Sequence, residues 1–334
     1  MEIAIDLGTA NILVSVPGKG VVLREPSVVA IDRTDGRVMA IGVEAQRMLG
    51  RTPGNILATR PLRDGVIADY EITAAMMAYF ITKVVGKNRL RRPRVMVCVP
   101  PGATGAERRA VRDAAEAAGA GRVDIIEEPL AAALGIGIDI TRPAGRMVVD
   151  VGGGTADVAV LSLGGTAVSE SVRSGGDRMD EALIQEIKRT HSVMIGERTA
   201  EELKIRCGSV HPRGRHERAD VRGRDLLSGL PRTVTVTPEE ITECLMEPVG
   251  LIRDAVERVL EMTPPELSSD IMEDGIWLTG GGALLHGLDA YLAQETGVPV
   301  HVAEDPMSSV ALGTARALEY PCNADHLVVL RPVL

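Results

Sequence analysis

Aromatic side chains are scarce in this sequence, and their scarcity limits both the core and the possible ligands. Only 2% of the 334 residues are aromatic, with one Trp and one Phe. Proteins that bind single-stranded nucleic acids stack the bases on aromatic rings, so this chain is a poor candidate for that class. Hydrophobic residues still make up 45% of the chain, so aliphatic side chains must build the core, and the length suffices for two domains.

Paired cysteines, excess positive charge and long apolar runs are missing as well. The four cysteines, at 98, 207, 244 and 322, form no CxxC pair, which argues against a zinc site or a disulfide framework. The formal net charge of −9 gives no general reason to bind nucleic acid. The longest apolar run, residues 130–138, is too short to span a bilayer. We therefore expect a cytoplasmic protein with no nucleic-acid partner.

An internal duplication is the main feature that the sequence does contain. Residues 2–16 and 146–163 each read as a strand ending in Asp, a glycine-containing turn and a second strand. Asp6 aligns with Asp150 and Gly8 with Gly152, a separation of 144 residues, which is too large for a solenoid repeat. The pattern predicts two related lobes, each beginning with a β-hairpin.

Strands and helices alternate in the rest of the chain. Residues 95–100 read as a buried strand, and Thr104 with Glu107 has the spacing of a capping box that starts a helix ending near Gly119. Residues 275–283 read as a strand and a glycine turn, and 284–295 as a helix. This order predicts an α/β fold with sheets covered on both faces.

The two glycine-containing turns can be interpreted in two ways. A phosphate chain needs backbone N–H groups that approach without side chains between, and a nearby carboxylate can hold Mg²⁺ through water. Asp6 and Asp150 with their glycine turns fit a phosphate clamp of this kind. Each turn alone could equally be a tight hairpin, but their matching places in a duplicated chain favour the clamp.

Three further stretches carry candidate chemistry. Glu128 precedes Pro129 at a helix start, where an acidic residue complements the helix dipole or orients an attacking water. By itself this pattern favours the dipole interpretation. Gly280–Gly282 before a helix could receive a ribose and base, or permit tight packing. Residues 196–204 could be a solvated amphipathic helix. The Walker and dinucleotide glycine motifs and a catalytic triad are absent.

Taken together, these elements resemble the MreB/Mbl-type bacterial actins of the actin–chaperone–sugar-kinase superfamily, over residues 2–319. The resemblance rests on the stretches 6–11 (DLGTAN), 18–31, 60–71, 127–135 (EEPLAAALG), 150–160 (DVGGGTADVAV), 175–182, 195–205, 263–271 and 278–285. It implies a duplicated actin-like, ribonuclease H-like fold with a nucleotide cleft between two lobes. Lobe I would cover 1–144, with a small subdomain at about 32–68 and the tail at about 305–334 returning to it. Lobe II would cover 145–304, with a small subdomain at about 180–235.

The resemblance also implies a role for particular residues toward ATP and Mg²⁺. Glu128 would position the attacking water with help from Thr155, and Asp6 and Asp150 would hold Mg²⁺ through water. The residues implied to contact the nucleotide are Thr9, Ala10, Asn11, Gly152, Gly153, Gly154, Glu201, Glu202, Leu203, Lys204, Gly282, Ala283, Leu284 and Leu285.

The function implied is that of a slow ATPase that polymerises into paired protofilaments at the inner face of the cell membrane. There it would guide cell-wall elongation proteins and so set cell shape. Ala156 departs from the family pattern, which has Thr there. The family also uses an amphipathic N-terminal helix or a hydrophobic loop for membrane contact. Here the first strand begins at residue 2, and the corresponding loop is mostly basic.

That basic loop suggests an electrostatic membrane contact. Clustered cations contribute about 1 kcal/mol each near an anionic leaflet, whereas a solvated charged loop is the alternative. The residues concerned are Lys87, Arg89, Leu90, Arg91, Arg92 and Arg94.

Three alternatives to a filament-forming ATPase stay open at this point. A non-polymerising actin-like switch or scaffold is the nearest, because of Ala156 and the altered loop. A small-molecule kinase would need an Asp base beside the γ-phosphate, and none can be assigned. A chaperone ATPase is disfavoured because no peptide-binding domain follows within the 334 residues.

Overall fold

Two five-stranded sheets with the same strand order organise the computed structural model, which describes residues 1–86, 92–211 and 218–320. The strands of the first half are β1 (Glu2–Leu7), β2 (Asn11–Val16), β3 (Gly20–Pro26), β4 (Val29–Asp32), β5 (Val38–Ile41), β6 (Ile56–Thr59), β7 (Leu62–Arg63), β8 (Val66–Ile67), β9 (Arg94–Val99) and β10 (Arg122–Glu127). Its helices are α1 (Val43–Met48), α2 (Tyr70–Val85), α3 (Gly105–Ala117) and α4 (Glu128–Ile136).

The second half continues with a similar alternation. Its strands are β11 (Arg146–Val151), β12 (Ala156–Ser162), β13 (Gly165–Val172), β14 (Val193–Met194), β15 (Ala219–Asp225), β16 (Pro231–Val236), β17 (Ile276–Thr279) and β18 (Val300–Val302). Its helices are α5 (Gly176–His191), α6 (Glu197–Cys207), α7 (Pro238–Met262), α8 (Pro265–Asp274), α9 (Leu288–Thr296) and α10 (Ser309–Ala317), with a 3₁₀ turn at Gly281–Leu284.

The two large sheets repeat one topology. The first sheet has the order β10-β9-β1-β2-β3, and the second has the order β18-β17-β11-β12-β13. In each, three consecutive strands pair antiparallel, and two later strands extend the sheet in parallel beside the first of them. The strands β9 and β11 are buried along most of their length, as expected for sheets covered on both faces. The predicted duplication and fold class are confirmed.

Smaller sheets are attached to each half. Strands β5-β4-β6 form one, with α1 beside them, and the hairpin β7–β8 follows. Strands β14-β15-β16 form the other. These lie largely within the two predicted small subdomains, although β4 begins at Val29. The exact lobe boundaries stay predictions.

Helices α4 and α10 lie between the two large sheets. Their core includes Ala4 and Met96 from the first sheet and Val148 and Ala159 from the second, all without solvent exposure. Helix α10 also packs against β1, β2 and β9, so the described part of the tail lies against the first sheet. The two helices are therefore the packed connection between the sheets.

A local signal in the sequence placed the start of α3. The Thr104 side chain accepts from the Glu107 amide, and the capping box before α3 is complete. The helix predicted over 284–295 is wrong at its start, because α9 begins at Leu288. The 3₁₀ turn ends at Leu284, and Gly287, the N-cap of α9, has a left-handed φ of +82° that prevents a continuous helix.

Candidate functional site

A cleft of about 560 Å³ lies between the two large sheets and is lined by both glycine turns. Most residues that the resemblance assigned to the nucleotide are brought together there. Those in the lining are Asp6, Thr9, Ala10, Asn11, Glu128, Asp150, Gly152, Gly153, Gly154, Thr155, Glu201, Lys204, Gly282, Leu284 and Leu285.

The first turn connects β1 and β2 and is held from two sides. Ser27 donates its hydroxyl to the Gly8 carbonyl at 2.5 Å, and its backbone N–H donates to Ala10 at 3.0 Å. The Gly65 amide, at the tip of the β7–β8 hairpin, donates to the Thr9 hydroxyl at 3.2 Å. The first turn is thus fixed in position before any ligand binds.

The second turn connects β11 and β12 and is anchored by the start of α5. The Gly152 amide donates to Thr155 at 2.9 Å, which closes the turn. The amides of Gly176 and Asp177 donate to the carbonyl groups of Gly152 and Gly153 at 3.0 and 2.8 Å. These two bonds hold the carbonyl groups of the turn, and amides within a glycine turn can form a concave site for an anion.

Glycine is required where the two turns approach each other. A Cβ on Gly153 would lie 2.6 Å from the Ala10 Cβ, and a Cβ on Gly154 would lie 2.9 Å from the Thr9 hydroxyl oxygen. Any larger side chain would push the turns apart. The sequence pattern of the second turn therefore reflects a close approach between turns from different sheets.

The carboxyl groups of Asp6, Glu128 and Asp150 line the cleft, and the buried Asp157 lies close enough to interact with Glu128 and Asp150. Burial raises the pKa of Asp6 to about 6, although a hydrogen bond from the Cys98 thiol opposes the rise. Burial, followed by repulsion from Asp157, Asp150 and Asp6, raises the pKa of Glu128 well above its usual range. Burial and repulsion from Asp157 and Asp6 do the same to the pKa of Asp150. Such gathered negative charge favours a bound cation.

The donors fit a magnesium ion that keeps part of its water shell. The Oδ1 atom of Asp150 is buried without a hydrogen-bond partner among the described residues. Within the same ranges, no group of three or more His, Cys, Asp or Glu side chains could enclose a metal by itself. Magnesium usually takes one or two carboxylates together with waters and phosphate oxygens, and this site offers the carboxylates.

Helix α6 presents one face to the cleft. Glu201, Lys204, Ile205 and Gly208 recur at helical spacing and line it. The Lys204 ammonium donates to the Gly176 carbonyl at 2.8 Å and lies 2.9 Å from Asp180. Burial raises the pKa of Asp180 to about 7 despite this ammonium.

Three predicted contact residues lie away from the cleft. Glu202 is exposed and pairs with Arg198 at 2.9 Å, while Leu203 is 2% exposed in the core of the second half. Ala283 packs into the same core. Consecutive residues on a helix point in different directions, so a run of four could not all face one ligand.

Sequence reasoning missed several residues that line or support the cleft. Asp157 pairs with Asp150 in the β11–β12 register and accepts from the Thr155 hydroxyl at 2.9 Å. Its position in the second hairpin arm was a usable signal. Gly65 and Arg24 also line the cleft, but they come from separate elements that only the tertiary fold brings there.

The structure describes Arg94, one residue of the basic cluster predicted to contact the membrane. Arg94 donates to Asp124 at 2.6 Å and to Glu2 at 3.0 Å, so its charge is already neutralised within the first half. Arg94 is therefore removed from the proposed basic cluster. Lys87, Arg89, Leu90 and Arg91 lie outside the described residues.

The raised pKa of Asp6 predicts a pH-dependent cost in stability. A carboxyl group whose pKa is higher in the folded protein stabilises it below pH 3.8, and that contribution is lost as pH rises through about 6. Asp6→Asn removes the titration. We expect the variant to gain up to about 3 kcal/mol relative to the unsubstituted protein between pH 4 and pH 7.5. Urea unfolding at both pH values, without nucleotide or magnesium, measures this difference.

Asp225 provides a control of opposite sign. A hydrogen bond from the Ser228 amide, with Arg232 and other donors, lowers the pKa of Asp225 to about 2. Asp225→Asn should therefore cost nearly the same stability at pH 7.5 and at pH 4, and its cost should fall only as pH drops below 3.8 and through about 2. An Asp6→Asn effect that is equal at the two pH values would contradict the electrostatic account of this cleft.

The fold and the cleft together define a protein of the actin-like class, in which two duplicated halves meet at a glycine-lined cleft. Comparison with known proteins gives the family. The profile described as "MreB/Mbl protein" matches residues 1–326. The chain belongs to the MreB/Mbl family.

Named relatives extend this result. The chain is 55% identical over 326 residues to the cell shape-determining protein Mbl of Bacillus cereus, covering 98% of this chain and 97% of that one. It is 54% identical over 323 residues to the cell shape-determining protein MreB of Escherichia coli K12, covering 95% and 93%. The structure of Spiroplasma citri MreB5 bound to ADP matches with a TM-score of 0.90 at 38% identity, covering 95% of each chain.

A more distant structure, the MamK double helical filament, matches with a TM-score of 0.81 at 22% identity and so supports the fold alone. The family predicted from the sequence is confirmed, and its relatives are cell shape-determining proteins. No described helix has the length and apolar character needed to cross a membrane.

Proposed function

We propose that this protein is a cytoskeletal ATPase that polymerises with ATP and acts in cell shape at the inner face of the membrane. The observation that carries the proposal is the meeting of two glycine turns, from two duplicated sheets, beside the Glu128 carboxyl group. Spiroplasma citri MreB5, at 38% identity, has structures bound to ADP and to AMPPNP. This chain belongs to the same family, and its cleft is lined by amides, hydroxyls and carboxylates, which suit a nucleotide phosphate chain.

Each part of the cleft has a proposed task. Backbone amides of the turns at 8–11 and 152–155 bind phosphate oxygens, and Glu201, Lys204, Gly282, Leu284 and Leu285 surround the ribose and base. Asp6 and Asp150 hold Mg²⁺ through water. When bound, this ion neutralises charge on the phosphate oxygens.

Glu128 is proposed to orient the water that attacks the γ-phosphate. Its raised pKa reflects desolvation and repulsion, both of which make a carboxylate a stronger acceptor for a water proton. The Thr155 hydroxyl donates to Asp157 at 2.9 Å, and Thr155 lines the same cleft as Glu128. Phosphoryl transfer of this kind depends on positioning and charge rather than on covalent chemistry, and the proposed turnover is slow.

Self-association is proposed to use two surfaces at opposite ends of the second half. The first, the leucine tip, consists of Leu226, Leu227 and Leu230 between β15 and β16, with Arg222 and Arg224 beside it. Leu227 is 88% exposed and Leu230 is 65% exposed. Asp225 fixes the tip because its carboxylate accepts the amides of Leu227 and Ser228 at 2.9 and 2.8 Å. Rigid exposed apolar groups are typical of protein contacts.

The second surface, the methionine face, is acidic. It consists of Glu261 and Met262 at the end of α7 and of Glu266, Met272 and Glu273 on α8, and both methionines are 56% exposed. Helix α7 starts after β16 and has 25 residues, which places its two ends about 37 Å apart. Opposite charge and opposite position suit a head-to-tail contact between copies, which generates a filament when it does not close into a ring.

Leu227→Glu should therefore abolish ATP-dependent pelleting. The change buries a negative charge against an acidic partner surface and removes an apolar anchor, which together cost several kcal/mol per contact. We expect Met272→Lys to reduce pelleting too, and the double variant to recover part of it because the new charges attract. Sedimentation with ATP and Mg²⁺ measures all three, with light scattering as a second readout.

Leu163→Glu is the matched control, because Leu163 is a 54% exposed leucine on the β12–β13 turn, outside both surfaces. It should pellet like the unsubstituted protein. Normal pelleting of Leu227→Glu would remove the leucine tip from the contact.

Sedimentation of the unsubstituted protein with ATP and Mg²⁺, with ADP or without nucleotide, tests the main proposal. We expect pelleting with ATP and slow phosphate release. Hydrolysis without pelleting, even on anionic liposomes, would instead support a non-polymerising actin-like switch or scaffold. The proposal also includes contact with cell-wall elongation proteins and with anionic lipid. The lipid contact would use Lys87, Arg89, Leu90, Arg91 and Arg92, and sedimentation with anionic liposomes tests it.

A further inference from the structure

The glutamate before Glu128 connects three elements at the start of α4. Glu127 is the last residue of β10 and the N-cap of α4, yet its side chain does not cap the helix. Instead, one carboxylate oxygen accepts from Arg108 of α3 at 2.8 Å. The other accepts from the Thr166 hydroxyl of β13 at 3.0 Å. One carboxylate therefore joins the first sheet and its helix to an edge strand of the second sheet.

This connection is half-buried and well supported on the side of the first sheet. The side chains of Arg108 and Glu127 are 19% and 22% exposed. The Arg108 guanidinium also donates to the Ala103 carbonyl at 3.1 Å, which fixes the loop before α3. On the side of the second sheet, the Thr166 hydroxyl is the single hydrogen bond to Glu127 from β13 among the described residues. The Thr166 bond is consequently the part of the connection that responds to movement of the second sheet.

The position of Glu128 depends on how α4 is held. Glu128 lies in the first turn of α4, whereas the second glycine turn and Thr155 belong to the second sheet. A small displacement between them changes the distance from the Glu128 carboxylate to the reacting phosphate. Misplacement by about 1 Å can cost about a hundredfold in rate. Nucleotide affinity depends on other parts of the cleft and should change little.

We propose that Glu127 is a positioning residue, which uses Thr166 to hold the start of α4, and with it Glu128, in register with the second sheet. The inference rests on the proposed ATPase function. It predicts that the Thr166 hydroxyl affects turnover of bound nucleotide rather than its binding. It also predicts that losing this hydroxyl loosens the first turns of α4.

Thr166→Val removes the hydroxyl while keeping the shape of the side chain. We expect phosphate release at saturating ATP to fall roughly tenfold or more, with the Kd for a fluorescent ADP analogue within about twofold of the unsubstituted protein. Thr166→Ser should restore the rate, because the serine hydroxyl can reach the same oxygen. Thr235→Val is the matched control, since the Thr235 hydroxyl also donates to a carboxylate, that of Asp220 at 2.7 Å, far from α4.

Amide hydrogen exchange gives a readout that does not need hydrolysis. The amides of Ala132, Ala133 and Leu134 close the first turns of α4 and should exchange faster in Thr166→Val, while those of α9 stay unchanged. If Glu128→Ala and the unsubstituted protein both release no phosphate, the proposed ATPase function fails and exchange alone decides the positioning role. Unchanged exchange in α4, or a rate that falls only together with affinity, would overturn the inference.

Discussion

Glu128→Gln should slow phosphate release at saturating ATP by about a hundredfold or more while making the nucleotide-free protein more stable at neutral pH. The amide cannot accept a proton from water, and loss of such a group typically costs a factor of about 10² to 10⁴. The gain in stability follows from the cleft's electrostatics. Burial and the carboxylates of Asp157, Asp150 and Asp6 raise the pKa of Glu128.

The sign of the stability change follows from the same pKa. A group whose pKa is higher in the folded protein contributes stability when protonated, and that contribution is lost as pH rises through its folded pKa. As the pH approaches or exceeds the folded pKa of Glu128, its ionisation in the cleft lowers the stability of the folded protein. A neutral glutamine at the same position does not have this cost. Functional sites commonly bear such a cost. Thermal unfolding at pH 7.5 without nucleotide or magnesium should therefore show a higher midpoint for the variant.

Glu202→Gln makes the same chemical change on an exposed helix face. Glu202 pairs with Arg198 at the surface and lies outside the cleft lining. It should leave both phosphate release and the unfolding midpoint nearly unchanged, because exposed pairs contribute little. A Glu128→Gln protein that hydrolyses ATP at the normal rate would move the water-orienting role to another group. A lowered midpoint would mean that Glu128 stabilises the folded cleft.

The sequence was most informative where a local pattern decides the structure. The capping box at Thr104, Pro129 at the start of α4 and the glycine turns after Asp6 and Asp150 were all readable, because each depends on neighbouring residues. The duplication added long-range information, since two similar hairpins implied two similar sheets. The class of the fold followed from these features.

The sequence was least informative where a side chain's direction or a distant partner decides the structure. Leu203 belongs to the core and Glu202 to the surface, although both adjoin residues that line the cleft. The contact between Glu127 and Thr166 joins residues 39 positions apart, and no local sequence pattern predicts it. Asp157 was visible as an acidic residue, but its pairing with Asp150 depends on the hairpin register.

The close crossing of α4 and α10 depends on two glycines, one in each helix. Gly313 of α10 faces the backbone of α4, and a Cβ there would overlap the Ala131 carbonyl group. The reciprocal contact is made by Gly135 of α4, where a Cβ would overlap the Ser309 carbonyl group. Both obstacles are backbone atoms of packed helices, which cannot rotate away as a flexible side chain could. The helices pack at this distance because both positions lack a side chain.

Gly313→Ala should consequently reduce the free energy of unfolding by at least about 3 kcal/mol, because the helices between the two sheets must separate to admit the methyl group. Helix propensity alone predicts the opposite, a gain of about 1 kcal/mol. Gly250→Ala isolates that gain, since Gly250 lies within α7 and a Cβ there meets no atom within 4 Å. Urea unfolding of both variants therefore gives opposite signs if the close crossing is real. Equal, small gains would mean that α4 and α10 lie farther apart, and the packed connection between the two halves of the cleft would have to be sought elsewhere.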